Sequence, residues 1–420
     1  MRPDPPPVKA FQADFKPATP NPTVRRIWNA VMPAIIRRWF GIVRVDIPDA
    51  DVARIKALDG KRLLLTSNHP TNQDPALMHT LTLRAGMPFN YLVAREVFDL
   101  YGGFFGWLLQ RLGAYSVIRG TADRESFRMT RATLSRPSGR LMIFPEGEIY
   151  SQNDTLLPFQ AGVVQLAIWA MEDARKAGDP DADILIIPAA CRYRFVGDVS
   201  EPIAAALSRL ESTLGLETPS GAELYARLRC VGIAMLETLE SEYGLKSKEN
   251  DDNDLTPRMN ALKLRLLERS AGMVGAHLPE GGTLPEKLRT VINAVFAVTR
   301  EEPSANPSSY RSRLHRRLAA RAAPLMDDLH RVANWIAAQD NYVRARPTPE
   351  RMADNIRRLE MEAFGAIKFS APMTGLVRVG TPLSLAAAYD AYKTDKRGTV
   401  ARVTHELEAA VQGLLDEGNV

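Results

Sequence analysis

The sequence has few of the residues that covalent cross-links and structural metal sites require. It contains two cysteines and six histidines in 420 residues. Cys191 and Cys230 cannot form a disulfide framework, and their spacing is not that of a CxxC metal pair. These absences exclude a disulfide-stabilised scaffold and a zinc module. They favour a reducing, cytoplasmic compartment and a protein that holds no metal.

Long apolar runs and a strong charge excess are also absent. The longest uncharged stretch is TLLPFQAGVVQLAIWAM (155–171), which is interrupted by Pro158 and two glutamines. It is shorter than the ~20 apolar residues that span a bilayer, so we expect no transmembrane span. The net charge of +5 comes from 54 basic and 49 acidic residues. Without a dense basic cluster interleaved with aromatics, nucleic-acid binding is not expected either.

The first part of the chain is polar and rich in proline. Seven prolines lie within residues 1–22, where a secretory signal peptide would need an apolar core. We therefore predict a disordered arm over residues 1–23 and no signal peptide.

Residues 24–50 begin with VRRIWNAVMPAIIRRWFGIVRV, in which apolar side chains recur at helical spacing between pairs of arginines. One interpretation is an amphipathic helix at a membrane surface, with tryptophan and arginine at head-group level. The other is a helix that packs on the protein core and exposes its arginines. Periodicity alone does not separate the two.

Strand-like runs alternate with helical segments over residues 51–200. The runs are RLLLTS (62–67), FNYLVA (89–94), AYSVI (114–118), RLMIF (140–144) and DILIIPAA (183–190). This alternation predicts a layered α/β domain, with a largely parallel sheet flanked by helices. The chemistry of such a domain lies in the loops that follow the strands.

The pattern becomes helical beyond residue 200. We predict an all-helical segment over residues 201–365, as either an insertion or a C-terminal extension, and a return to strand-like sequence and a final helix over 366–420. The basic stretch RSRLHRRLAAR (311–321) of the helical segment can contact a membrane or an acidic partner, or it is a solvated helix face.

One histidine stands directly after the first of these strands. The sequence 67-SNHPTNQDP-75 places His69 and Asp74 five positions apart. A histidine can act as a general base when a carboxylate holds its other ring nitrogen. Alternatively, Asp74 caps the following helix and His69 is a structural hydrogen-bonding partner.

Further sequence blocks follow this pair in order. They are 113-GAYSVIR-119, the sequence 144-FPEG-147, and Ile187 with Pro188. Together with Asn68, His69 and Asp74, they resemble the blocks of the glycerolipid acyltransferase superfamily, lysophosphatidic acid acyltransferase type. The family's first block is NHxxxxD and its third is FPEG. The resemblance covers about residues 60–195.

The resemblance implies an O-acyltransferase of phospholipid biosynthesis, peripheral at the cytoplasmic membrane surface. His69, oriented by Asp74, would deprotonate an acceptor hydroxyl, which attacks a fatty acyl thioester of coenzyme A or acyl carrier protein directly. No cofactor, metal or acyl-enzyme is implied. The residues implied in substrate binding are Asn68, Gly113, Arg119, Phe144, Pro145, Glu146, Gly147 and Pro188.

Two departures from the family pattern matter. The family's third block usually continues FPEGTRS, whereas this chain reads FPEGEIYS, so Glu148 and Ile149 stand where a cation is expected. The acceptor is therefore left open: either Arg95, Arg192 or Arg194 is a substitute cation, or the acceptor carries less phosphate charge. A strand resembling the family's VxxGxPI occurs only at 377-VRVGTPL-383, which favours an insertion before it.

Other functions remain compatible with the same residues. A transacylase or a thioesterase would use His69 and Asp74 with a phospholipid or water in place of the expected partner. A lipid-binding or scaffold protein would keep the fold without turnover. Analysis of the reaction products distinguishes a transacylase or thioesterase from an acyltransferase. Thioester binding without any product identifies a lipid-binding or scaffold protein.

Overall fold

The computed structural model describes residues 14–217, 221–245, 254–300, 317–322 and 324–417. These residues form two compact units. Unit 1 holds the described chain up to Ile149, then Asp154–Arg194, and then the chain from Met373 onward. Unit 2 holds Tyr150–Asn153 and Phe195–Pro372. The segment predicted to be helical, residues 201–365, lies within unit 2.

Unit 1 begins as an alternation of helices and strands. Its elements are α1 (Pro22–Trp39), β1 (Ile42–Asp46), α2 (Asp49–Lys56), β2 (Arg62–Ser67), α3 (Asp74–Arg84), β3 (Asn90–Ala94), α4 (Phe104–Leu112), β4 (Ala114–Val117), α5 (Arg124–Ser135), β5 (Arg140–Ile143), α6 (Gly162–Lys176) and β6 (Ile184–Phe195). A 3-10 segment, Arg95–Gly103, connects β3 to α4.

Unit 2 is helical in its described residues. Its helices are α7 (Ser200–Leu214), α8 (Leu224–Glu242), α9 (Thr256–Val274), α10 (Leu284–Arg300), α11 (Leu325–Trp335), α12 (Asn341–Arg344) and α13 (Pro349–Phe364). Part of the basic stretch 311–321 lies outside the described residues, and residues 317–322 are helical.

The chain then returns to unit 1. It forms β7 (Met373–Val379), β8 (Leu383–Ser384), α14 (Leu385–Thr394) and α15 (Lys396–Glu417). The eight-stranded sheet has the order β1-β7-β6-β2-β5-β3-β4, and β8 pairs with β6 antiparallel. The other described pairings are parallel. The prediction of a largely parallel sheet with flanking helices is confirmed.

The centre of the sheet explains why the first strand is so apolar. β2 lies between β5 and β6, and Leu63, Leu64 and Leu65 are fully buried. A parallel strand covered on both faces reads as a continuous apolar run rather than an alternating one. Helices α6 and α15 contribute Ile168 and Leu407 to the core that includes Leu64.

The prediction of a helix over residues 24–50 is wrong beyond Trp39. The helix ends there, and the sequence IVRVD forms β1, in which Ile42 pairs with Met373 of β7. A short β-branched run is ambiguous in sequence, and its strand partner lies more than three hundred positions away. Within the predicted return to strand-like sequence after residue 365, the first residues, AIKFS (366–370), form no strand.

The arm predicted to be disordered is partly ordered. Lys16 and Ser116 exchange hydrogen bonds next to β4: the Lys16 amide donates to Ser116 Oγ at 2.8 Å, and the Ser116 amide donates to the Lys16 carbonyl at 2.9 Å. The Thr19 amide donates to the Gln110 carbonyl, and Asn21 caps α1. The prediction is wrong for residues 14–23, and residues 1–13 lie outside the described residues.

No helix in the described part of the chain combines the length and the apolar character needed to cross a bilayer. The uncharged stretch at 155–171 instead contains most of α6, which is buried in the core of unit 1 at Val164, Ala167 and Met171. The expectation that this stretch does not span a membrane is therefore consistent with the structure.

His79 joins three elements of unit 1. Its Nε2 lies 2.8 Å from Asn29 Oδ1 on α1, and its Nδ1 lies 3.3 Å from the Tyr91 hydroxyl on β3. Burial, together with the charge of Arg25, lowers the pKa of His79 from 6.5 to about 4. This histidine is a neutral packing element of the core and not part of the candidate site.

We expect acid to weaken unit 1 through His79. Between pH 6.5 and about 4 the unfolded chain binds the His79 proton and the folded chain does not, so stability is lost as the pH falls through this window. When the pH falls through this window, the free energy of unfolding of wild type should decrease by up to about 3 kcal/mol more than that of His79→Gln. Urea unfolding at several pH values checks this. The exposed His405→Gln should behave as wild type, and equal pH slopes for all three proteins would contradict the assignment.

Candidate active site

The residues singled out by the sequence motifs lie at one edge of the sheet. His69 follows β2, the sequence 144-FPEG-147 follows β5, and Arg119 follows β4. These strands are parallel and are linked by β3, so their carboxyl ends meet at the same edge. In open parallel sheets this edge is where substrates bind.

His69 and Asp74 are in direct contact. His69 Nδ1 lies 2.8 Å from Asp74 Oδ2, and Asp74 begins α3 with its side chain fully buried. The same carboxylate accepts hydrogen bonds from the Thr71 amide at 2.8 Å and from Thr71 Oγ1 at 2.9 Å. Asp74 therefore both orients the histidine and holds the turn, so the two interpretations of the motif are not exclusive.

The imidazole of His69 contacts Phe144 through its ring face, in addition to the contact of Nδ1 with Asp74. Its ring stacks on Phe144, with centroids 4.0 Å apart and planes inclined by 16°. The side chain is 15% exposed, and within the described chain no hydrogen bond occupies Nε2. With the Nδ1 proton donated to Asp74, the lone pair of Nε2 can accept a proton from a bound hydroxyl.

Tyr193 is a member of this site that the sequence analysis missed. It lies near the end of β6, and its hydroxyl donates to Asp74 Oδ1. Burial and the neighbouring charge of Asp74 raise the pKa of Tyr193 well above its ordinary value, so the hydroxyl stays protonated as a donor. Thr71, whose hydroxyl also contacts Tyr193, was missed too. No local sequence signal identifies a donor 119 positions from Asp74.

The Asn68 side chain is directed into the protein and bonds the backbone of β6. This side chain is fully buried, and its carboxamide bonds both backbone groups of Cys191: Nδ2 donates to the carbonyl at 2.8 Å, and Oδ1 accepts from the amide at 2.7 Å. Asn68 therefore fastens the end of β2 to β6 next to His69. The structure gives it a positioning role instead of the predicted substrate contact.

Glu146 likewise holds the backbone around the histidine. It is 1% exposed. Oε1 accepts from the His69 amide at 3.3 Å, and Oε2 accepts from the Leu157 amide at 3.4 Å. Burial raises the pKa of Glu146 well above its ordinary value, although these amide hydrogen bonds lower it. The carboxyl group links the loops after β2 and β5, which keeps His69 beside Phe144.

Three other predicted substrate-binding residues shape the backbone. Gly113 ends α4 with φ +101°, a left-handed conformation that favours glycine. The Pro145 carbonyl accepts from the Gln160 amide at 2.8 Å. Pro188 is buried within β6, where a side chain at Gly380 would meet its ring at 3.0 Å.

Arg119 lies between two carboxylates. Its Nη1 donates to Glu148 Oε2 at 2.8 Å and to the Gly147 carbonyl at 3.0 Å, and its Nη2 pairs with Glu96 in the 3-10 segment after β3. The glutamate in FPEGEI therefore contacts Arg119, which the family resemblance implies in substrate binding. Glu96 was not identified from the sequence.

Arg95 does not supply a replacement cation at this edge. Its side chain is fully buried and forms ion pairs with Asp14 and Asp99, each at 3.0 Å. Across the described ranges, no group of three or more histidine, cysteine, aspartate and glutamate side chains has the arrangement of a metal site. The site contains a histidine held by a buried carboxylate, and a charged cluster lies in the adjoining loops.

Comparison with known proteins identifies a family for part of the chain. The Acyltransferase family model matches residues 48–192, a stretch that contains His69, Asp74, Arg119 and the sequence 144-FPEG-147. No curated protein matches the chain. The family match supports the resemblance to glycerolipid acyltransferases and supports an acyltransferase enzyme as the general activity.

Proposed function

We propose that the Acyltransferase domain of this protein moves a fatty acyl group from a thioester of coenzyme A or acyl carrier protein to a hydroxyl of a glycerolipid or lysophospholipid acceptor. His69 is the general base and Asp74 orients it. The observation that carries this proposal is the 2.8 Å contact between His69 Nδ1 and the buried Asp74 carboxylate, which leaves Nε2 directed away from the carboxylate.

In the proposed reaction, Nε2 of His69 takes the proton of the acceptor hydroxyl as its oxygen attacks the thioester carbonyl. The tetrahedral intermediate then expels the thiolate, which takes the proton from the imidazolium and leaves as a thiol. Asp74 stabilises the imidazolium between these steps. The Asp74 carboxylate keeps its hydrogen bonds from Thr71 and Tyr193 throughout, so the base stays in one orientation.

Direct attack fits the groups that surround the histidine. Cys191 is the cysteine beside the site, and it is fully buried. Burial raises the pKa of its thiol well above the ordinary value, so it is a poor nucleophile. A thioester is already activated, and general base catalysis of about 10² to 10⁴-fold, together with positioning, is a reasonable contribution for such a site.

Product analysis with the purified full-length chain tests the proposal. A long-chain acyl-CoA is incubated with monoacylglycerol and with a series of lysophospholipids, and free thiol and new ester are measured together. We expect one new ester for each thiol released. Thiol without ester would indicate a thioesterase, and acyl-CoA that binds without thiol release would indicate a lipid-binding protein.

We also propose that α1 and α4 meet a membrane surface. The two helices are in contact, and both expose large apolar side chains, with Trp39 69% and Phe104 63% exposed. Arg37 and Arg38 lie in the last turn of α1. Exposed aromatics rimmed by arginines are the pattern of a protein that rests in the interface of an anionic bilayer.

Vesicle flotation checks this surface. Trp39→Ser and Phe104→Ser should each lower the partition coefficient on phosphatidylglycerol-containing vesicles about tenfold, because each removes a side chain worth roughly 1.5–3 kcal/mol when buried. Trp169→Ser is the matched control, since Trp169 is 37% exposed on α6. Equal losses in all three variants, or no loss in any, would contradict the proposal.

A further inference from the structure

The ion-pair cluster beside the candidate site consists of Glu96, Arg119 and Glu148, which follow three neighbouring strands of the sheet. Glu96 follows β3, Arg119 follows β4 and Glu148 follows β5, and β3 pairs with both of the other strands. The pairing of these strands therefore fixes the relative positions of the three side chains. All three side chains are partly buried, which limits screening by water.

The cluster adjoins the catalytic histidine through the loop after β5. Arg119 donates to the Gly147 carbonyl, and the preceding residue, Glu146, accepts the amide hydrogen of His69. An acceptor whose hydroxyl reaches Nε2 of His69 therefore has its head group near the same loop. The charges of the cluster act on that head group.

The two carboxylates change what Arg119 can bind. Glu148 pairs with Nη1 of the guanidinium and Glu96 pairs with Nη2, so carboxylates already hold both terminal nitrogens. A phosphate monoester carries about −1.5 to −2 at neutral pH and would have to displace both carboxylates from the arginine. It would also face their repulsion, since like charges brought together are disfavoured at a binding site.

We infer that Glu148, together with Glu96, makes the acceptor subsite select against phosphate monoesters and in favour of a hydroxyl lipid whose head group is neutral or carries an ammonium group. This inference rests on the proposed acyl transfer and names its acceptor class. Glu148 stands where the family pattern FPEGTRS has no acid, so its ion pair with Arg119 is a feature of this chain.

Acceptor preference and its change in one variant test the inference. Wild type should acylate monoacylglycerol or lysophosphatidylethanolamine with a kcat/KM at least about tenfold above that for lysophosphatidate. Glu148→Gln removes one negative charge and the ion pair at Nη1 of Arg119, while the hydrogen bond from Nη1 to the Gly147 carbonyl stays. It should raise the ratio of kcat/KM for lysophosphatidate to kcat/KM for monoacylglycerol about tenfold.

The control is Glu125→Gln, which removes a carboxylate from an exposed ion pair with Arg128 on α5 and should leave the acceptor ratio unchanged. A wild-type preference for lysophosphatidate, or an unchanged ratio in Glu148→Gln, would overturn the inference while acyl transfer stands. Equilibrium binding of lysophosphatidate gives a readout without turnover. Wild type should bind it more weakly than Glu148→Gln, and equal affinities would overturn the inference even if no acceptor is acylated.

Discussion

Replacing His69 by alanine is expected to lower kcat for acyl transfer by about 10² to 10⁴-fold and to change KM for the acyl donor little. The variant loses the group that takes the acceptor proton, while Asp74 keeps its hydrogen bonds from Thr71 and Tyr193. The fold should therefore survive. Steady-state thiol release with an acylated product measures kcat, and urea unfolding verifies the fold.

His405→Ala is the matched control, because His405 is 84% exposed on α15 and should be silent. Asp74→Asn tests whether His69 must be oriented by the carboxylate or whether its presence alone is enough. Without the carboxylate the imidazole is neither held in the required tautomer nor stabilised when protonated, so kcat should fall although His69 is intact. Full activity in His69→Ala would remove His69 from the proposed mechanism, and full activity in Asp74→Asn would remove the orienting role of Asp74.

The second large effect concerns the stability of unit 2. Arg358 of α13 is fully buried, and its Nη2 donates to the carbonyls of Tyr150 and Ser151, both at 2.8 Å. Arg358→Met should destabilise the unit by about 3–5 kcal/mol, because it removes a buried donor to these two carbonyls and one of the two arginines whose charges act on the buried Asp354 carboxylate. Hydrogen exchange of peptides from α13 reports this loss directly.

The neighbouring carboxylate predicts a pH dependence of the same variant. Burial raises the pKa of Asp354 to about 6, although Arg357 and Arg358 lower it. A raised folded pKa means that stability is lost as pH rises through it, and removing Arg358 enlarges this loss. The destabilisation by Arg358→Met should therefore be greater at pH 8 than at pH 5.

Arg265→Met is the control for this prediction, since Arg265 is exposed on α9 in the same unit and should change stability by no more than about 0.5 kcal/mol. Equal exchange rates in wild type and Arg358→Met would show that the buried arginine contributes little. A destabilisation that does not vary with pH would instead exclude Asp354 as its cause.

The fold was predictable where neighbouring residues decide it. The apolar run of β2 and the alternation of strands and helices up to β6 are local patterns, and they predicted the parallel sheet. β1 was not predictable, because IVRVD can belong to a helix or a strand until β7 lies beside it. The ordered residues after Asp14 were missed for the same reason, since Lys16 pairs with Ser116, one hundred positions away.

The site divides in a similar way. The spacing of His69 and Asp74 is local, and the structure brings the two side chains together as the motif indicated. Asn68 and Glu146 were interpreted as substrate contacts, but burial gives both of them backbone-holding roles. Burial depends on the complete sheet, so a motif that marks a residue as important does not reveal which way it faces.

Local sequence was enough to specify the α/β alternation, the order of the motif blocks and the pairing of His69 with Asp74, because those features depend on residues within a few positions of each other. Tertiary structure was needed to bring Tyr193 to Asp74 and Glu148 to Arg119, across 119 and 29 positions. Strand order in the sheet sets these contacts. They determine how the histidine is held and which charges lie in the adjoining loops.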